Sequence, residues 1–514
     1  MTSGAHDKWP RWSPDGSKVA FISDKSGEEE VWVVAQDGAA PAEQLTSGGK
    51  AMRYAPEWSA DGKRLALGDK DGRLLVVTVA DKKLAEIAQS RHGSITDYVW
   101  SPKGDFLAYS MNHANGFGSI YIWNAADGQS HQLTDEMFNA GNPAWDPKGD
   151  YLYFLSDREF APQISSIEFN FALNRATGIY ALALRKDVKH PFPPESDEVT
   201  ITKDDASKDK DAAKDKDKDK DKDKEAKKEL TIDFDGLGSR VARVPVEASN
   251  YQGLEVKDGH LLYVTAPAFY YGREAATKPA LKIYSIKDRK ETVLAEDANG
   301  FWMSRDGSKV LVRQQPPKQP AAWLVMDATP SGAASKKTVP TSGLMADRVP
   351  AEEWPQIFNE VWRRYRDFFY VPNMHGYDWE ALRAQYRTWL PYVGDRTDLN
   401  YVIGEMIAEL TVQHAYITGG DIPLPPRPRV ALAGARFELD PASNRYKISK
   451  IFQGQNEEEI YRAPLTEIGI NVKVGDYVLA INGRDLTGKD DVYRLLRNLA
   501  DNPVQLLVND KPAA

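Results

Sequence analysis

Two histidines and the absence of cysteine bound the chemistry open to this chain. His414 follows an apolar run, Leu399, Val402, Ile403, Met406, Ile407 and Leu410, spaced as one face of a helix. A general base needs a pKa near neutrality and a rigid mount, and a histidine at a helix end has both. A lone histidine also fits a structural role, and nothing at this spacing supplies a nucleophile or a second ligand. His375 lies in the turn-like Pro372-Asn373-Met374-His375-Gly376 and carries the same two readings. The cysteine count is 0, which excludes disulfides, thiolate nucleophiles and thiolate zinc sites. No Gly-x4-Gly-Lys-Ser/Thr loop and no His-Glu-x-x-His is present, so no cofactor and no metal are expected.

The mount is helical. Trp354, Ile357, Phe358, Val361, Trp362 and Tyr365 fall on one helical face. A second helix is expected over Trp379 to Trp389, stopping before Pro391. A third should start near Thr397 or Asp398, either of which can cap it, and run toward His414.

Upstream the chain is repetitive. Trp12-Ser13-Pro14-Asp15-Gly16 recurs as Trp58-Ser59-Ala60-Asp61-Gly62, Trp100-Ser101-Pro102-Lys103-Gly104 and Trp145-Asp146-Pro147-Lys148-Gly149, with weaker copies ending at Gly259 and Gly307. The glycines are 46, 42, 45, 110 and 48 residues apart. Each tetrad reads as a hairpin turn with Gly at positive φ, flanked by alternating runs such as Lys18-Val19-Ala20-Phe21-Ile22. Several short strands per 40–50 residues indicate β-propeller blades, whereas a long β-sandwich carries no such echo. Six blades are visible over residues 1–345, and the tryptophans are expected to pack between blades. Met1-Thr2-Ser3-Gly4 matches Leu45-Thr46-Ser47-Gly48 in phase, so the chain is expected to begin inside a blade and the intact propeller to have seven. The interval of 110 holds a Lys/Asp-rich insertion at about 200–230. Lys203 to Lys228 carries 11 basic and 10 acidic residues and is expected to be disordered, with an alternating-charge helix as the other reading.

After a helical segment at 350–425, residues 428–511 revert to strands. Arg436–Leu439 and Tyr446–Ile451 flank a hairpin loop, a short helix is expected around Asp491 to Leu499, and a closing strand over Val504 to Val508. Val474-Gly475-Asp476-Tyr477-Val478-Leu479-Ala480-Ile481-Asn482-Gly483-Arg484 has the form of a PDZ-like domain, which takes an extended peptide on a sheet edge. The carboxylate loop would fall at Leu432-Ala433-Gly434-Ala435-Arg436-Phe437, without the common Gly-Leu-Gly-Phe form. The fold class expected is therefore multidomain and mainly β: a propeller, a small helical core segment and a PDZ-like domain.

This order resembles the tricorn proteases. So do the strings Asp367-Phe368-Phe369-Tyr370-Val371-Pro372-Asn373-Met374-His375-Gly376-Tyr377-Asp378-Trp379, Leu390-Pro391-Tyr392-Val393 and Asp398-Leu399-Asn400-Tyr401-Val402-Ile403-Gly404-Glu405-Met406-Ile407. The resemblance implies a serine peptidase of the tail-specific clan, with two propellers ahead of two core domains that flank a PDZ domain. It implies peptide substrates, a large cytosolic homo-oligomer and a propeller acting as gate or substrate conduit. His414 matches the family's catalytic base. The residue before it, a serine in the archetype's Ser-His-Ser-Glu tetrad, is Gln413 here. The nucleophilic serine, oxyanion hole and glutamate would lie in a second core domain beyond Ala514, so the chain is expected to be a fragment, inactive alone.

A non-enzymatic propeller–PDZ scaffold for peptides is the alternative. A prolyl-oligopeptidase-like hydrolase is excluded by the lack of a Gly-x-Ser-x-Gly elbow. The net charge of -9 argues against nucleic acid and anionic membranes, and no apolar run reaches a membrane span. The expected compartment is the cytoplasm, or the periplasm or exterior if a signal peptide precedes Met1.

Overall fold

The computed structural model describes residues 5–159, 163–164, 171–172, 175–193, 230–267, 277–316, 319–343, 345, 347–422 and 425–513. The Lys203–Lys228 insertion and Met1-Thr2-Ser3-Gly4 lie outside them. Two compact units emerge, Met1–Thr418 and Gly419–Ala514.

The first unit opens with six four-stranded antiparallel sheets, each with its strands in chain order, spanning 7–44, 57–89, 98–132, 140–243, 250–296 and 298–339. These are blades 1 to 6. The repeated turn glycines sit where the spacing put them, with Gly16, Gly62, Gly104 and Gly149 at φ of 70, 71, 79 and 74°. In blades 1 and 2 the serine of the turn closes the loop: Ser13 Oγ donates to Asp15 at 2.6 Å, and Ser59 Oγ to Asp61 at 2.6 Å. The long interval is a connection within blade 4, between strands Gly178–Ala183 and Val241–Arg243, which still pair.

Five apolar clusters join successive blades, from blade 1 to blade 6. The repeat tryptophans do more than fill them. Trp58 Nε1 donates to the Arg11 carbonyl at 3.1 Å, Trp100 to Glu57 at 3.0 Å, and Trp145 to Val99 at 3.1 Å. Each indole thus ties a blade to the first strand of the blade before it. Trp12 departs from the expected packing and is 61% exposed. It belongs to the first described sheet, where no preceding described strand offers that carbonyl.

Three helices close the first unit: α1 (Pro350–Phe368), α2 (Trp379–Arg387) and α3 (Arg396–Ala408). Their shared core contains Phe358, Trp362, Trp379, Leu390, Leu399, Ile403 and Met406. Trp362 and Trp379 exchange indole-to-carbonyl hydrogen bonds at 2.8 and 3.0 Å. Two boundaries differ from expectation. The cap of α3 is Asp395, not Thr397 or Asp398, because its carboxylate accepts from the Thr397 and Asp398 amides at 2.7 and 3.0 Å. The second helix stops at Arg387, and a short 3-10 turn, Leu390–Tyr392, follows.

Charge seats α1 on blade 1. Arg363, itself 3% exposed, meets Asp24 and also donates to the Gly27 carbonyl at 2.9 Å. Arg364 pairs with Glu29, and Arg366 with Glu28 at 2.7 Å. The Met52 amide donates to Asp367 at 2.8 Å. Burial pushes the Glu360 carboxyl up, but hydrogen bonds from His6 and Arg363 and the charges of Arg364 and Arg363 outweigh it and hold it far below the usual range.

The second unit is a five-stranded sheet. Strands Ala435–Asp440, Arg445–Ile451, Tyr477–Ile481 and Arg484–Asp485 lie in that order, and Leu506–Asn509 pairs with Tyr477–Ile481. The expected helix is short, α4 (Val492–Leu495), capped by Asp491. The helix closes at Leu496, and Asn498 at φ 62° lies beyond it, so no helix reaches Leu499.

Candidate active site

The helix carrying the apolar stripe ends at Ala408, six residues before His414. His414 is therefore not on a helix end, as the spacing suggested, but on an irregular segment that follows one. The stripe itself is buried, with Leu399, Ile403, Met406 and Leu410 at 0% exposure. Tyr386 of α2 braces the end of α3 by donating to Glu409 at 2.6 Å, and burial with that carboxylate pushes its phenol up to about 12.

Beyond Leu410 the backbone is bent hard. Thr411 has φ 52° and His414 φ 68°, both in the left-handed region. That conformation costs a non-glycine residue roughly 1–2 kcal/mol, so the surroundings must hold it. The result is an exposed imidazole on the rim of an open hollow of about 520 Å³. The walls are Tyr365, Phe369, Tyr370, His375 and the segment Thr411–Ala415.

His414 Nδ1 lies 3.1 Å from the Tyr416 hydroxyl. With Nδ1–H donating to Tyr416, Nε2 keeps its lone pair and meets no hydrogen-bond partner among the described residues, the state a general base requires. His375, four residues before Trp379 in sequence, reaches the same hollow. Its Nδ1 is 3.0 Å from the Leu410 carbonyl, and its Nε2 meets the Tyr370 hydroxyl. The two histidines are thus brought together as walls of one site, although 39 positions separate them in the sequence. Tyr370 and Tyr416 were not singled out from the sequence; exposed tyrosines beside histidines leave no periodic signal. Gln413 is exposed in the same segment, and the lining contains no serine.

Among the described residues no cluster of three or more His, Asp and Glu could hold a metal ion. No helix among them is long and apolar enough to cross a membrane.

Three family models match the chain in order: the tricorn protease second β-propeller domain over residues 1–319, the tricorn protease C1 domain over 350–408, and the tricorn protease PDZ domain over 432–514. This chain belongs to the tricorn protease family. Tricorn protease homolog 1 of Streptomyces coelicolor is 27% identical, over 99% of this chain and 47% of its own length. The tricorn protease homolog of Saccharolobus solfataricus is 25% identical over 94% of this chain and 42% of its own. The crystal structure of the tricorn protease superposes with a TM-score of 0.80 at 21% identity, covering 98% of this chain and 47% of that one. The chain thus spans about half the length of the tricorn relatives it matches. His414 falls between the second and third matched segments.

In the PDZ unit, strand Ala435–Asp440 forms the edge of the sheet. The loop before it turns at Gly434, φ 73°, and Phe437 of the strand stands 6.5 Å from Tyr493 of α4, ring centre to ring centre. An edge strand beside a helix is the geometry that accepts an added peptide strand.

Proposed function

We propose that this chain is part of a tricorn-like serine peptidase that degrades peptides, with His414 as its general base. The nucleophilic serine is assigned to a region outside residues 1–514. The observation that carries this reading is the exposed imidazole of His414, held at Nδ1 by Tyr416 on the rim of an open hollow. In the reaction, Nε2 takes the proton of the serine hydroxyl as Oγ bonds to the scissile carbonyl carbon. The same proton then passes to the leaving amine as the C–N bond breaks, and water repeats the cycle on the acyl-enzyme. Gln413 stands where the archetype has a serine; its amide can hydrogen-bond an imidazole or a carboxylate. A cytoplasmic homo-oligomer acting on peptides fits the family.

The test is peptidase activity of the complete reading frame that contains this chain. His414→Ala should lower kcat on the order of a thousandfold or more with the fold intact. Retained activity would remove His414 from the mechanism. The scaffold reading keeps one observation in its favour, the edge strand beside α4.

A further inference from the structure

We infer that His375 is a positioning residue for His414, locking the bend that presents the base. The inference rests on the proposed role of His414.

Hydrogen-bond chemistry fixes one hydrogen of the His375 ring. A backbone carbonyl only accepts, so the nitrogen 3.0 Å from the Leu410 oxygen must carry its hydrogen. A neutral ring protonated at Nδ1 has a bare Nε2, which accepts from the Tyr370 hydroxyl. The ring is held on edge by aromatic neighbours: its centre is 5.0 Å from Phe369 and 5.3 Å from Tyr370, each at 74° between planes.

The acceptor it has chosen matters. Leu410 is fully buried and lies just past the end of α3, where carbonyls lack helical partners. The next residue, Thr411, is β-branched and left-handed, and His414 is left-handed three residues on. Fixing the carbonyl of Leu410 fixes the peptide plane from which that bend begins. His375 is itself left-handed, at φ 58°, as is Met374 at φ 50°, so a strained turn on one side of the hollow holds a strained turn on the other. The connection runs Tyr370, His375, Leu410, then the segment to His414.

Asparagine can place an N–H where Nδ1–H stands, whereas leucine fills the space without a donor. In the enzyme from the complete reading frame, assayed on a fluorogenic peptide amide, His375→Leu should lower kcat about tenfold or more with KM changed less than about twofold. The acid limb of its pH profile should move, because the base is presented differently. His375→Asn should recover most of kcat. Tyr370→Phe removes only an exposed hydroxyl and should cost about threefold. Equal kcat in the Asn and Leu variants, or full activity in both His375→Leu and Tyr370→Phe, overturns the proposal. His414→Ala, run in parallel, reports on the base itself. If that variant stays active, the positioning claim is still decided by ¹⁵N spectra of the histidine rings in this chain. His375 should be protonated at Nδ1, and the His414 signals should move in His375→Leu but little in His375→Asn. Unchanged His414 signals overturn it.

Discussion

Arg363 of α1 and Asp24 of blade 1 form a buried ion pair, with side-chain exposures of 4% and 5%. It joins the helix whose C-terminal end walls the hollow to the first sheet of the propeller. Removing Asp24 takes one carboxylate from the buried Arg363, which keeps Glu360 at 2.9 Å and the Gly27 carbonyl, so the loss is about 1–3 kcal/mol, that of a charged hydrogen bond. Asp24→Ala should lower the denaturant midpoint accordingly. Replacing both residues by apolar ones of similar volume should cost much less. A single variant that unfolds like the parent would show that the pair contributes nothing.

Glu255, on the first strand of blade 5, accepts from the Met303 amide at 3.2 Å, and burial pushes its carboxyl up to about 7. A raised pKa means that stability is fully present below the unfolded value and is lost as pH rises through about 7. For this partly buried group the effect is roughly 2 kcal/mol. Glu255→Gln should flatten that loss, so that parent and variant melt alike near pH 5 and diverge at pH 8. Parallel melting curves across that range would contradict the assignment.

Trp145 should be more sensitive than Trp12 to the loss of its indole N–H. Trp145→Phe removes the bond to the part-buried Val99 carbonyl, and with it the tie between blade 4 and strand Tyr98–Trp100 of blade 3. It should cost about 1–3 kcal/mol, counting the smaller ring. Trp12, 61% exposed, should tolerate the same change within about 0.5 kcal/mol. Chemical denaturation of the two variants side by side decides between them.

The edge strand Ala435–Asp440 predicts capture of extended peptides with free C-termini. Titration of the chain with a peptide and its C-terminal amide should show binding weakened at least about tenfold in the amide. Phe437→Ala should weaken both, since that ring faces Tyr493. Equal affinity of acid and amide would rule out carboxylate capture at this loop.

The blades were legible because their turns repeat: Gly16, Gly62, Gly104 and Gly149 need positive φ, and strand alternation follows each of them. The α3 stripe was equally legible, every member being buried. The bend carrying His414 was not. Left-handed Thr411 and His414 contradict local preference, so only tertiary contacts explain them. The role of His375 was hidden for the same reason, since its partner is a backbone carbonyl 35 residues away. The seating of α1 left a trace that pattern reading passed over: the acidic run Glu28-Glu29-Glu30 and the basic Arg363-Arg364-Tyr365-Arg366 are complementary blocks far apart in the chain.

The left-handed backbone at His414 sets two selective pressures against each other. Glycine is the residue that this φ of 68° suits best. Selecting variants of this protein for heat resistance alone should therefore favour glycine at position 414, gaining thermal tolerance and discarding the imidazole in the same step.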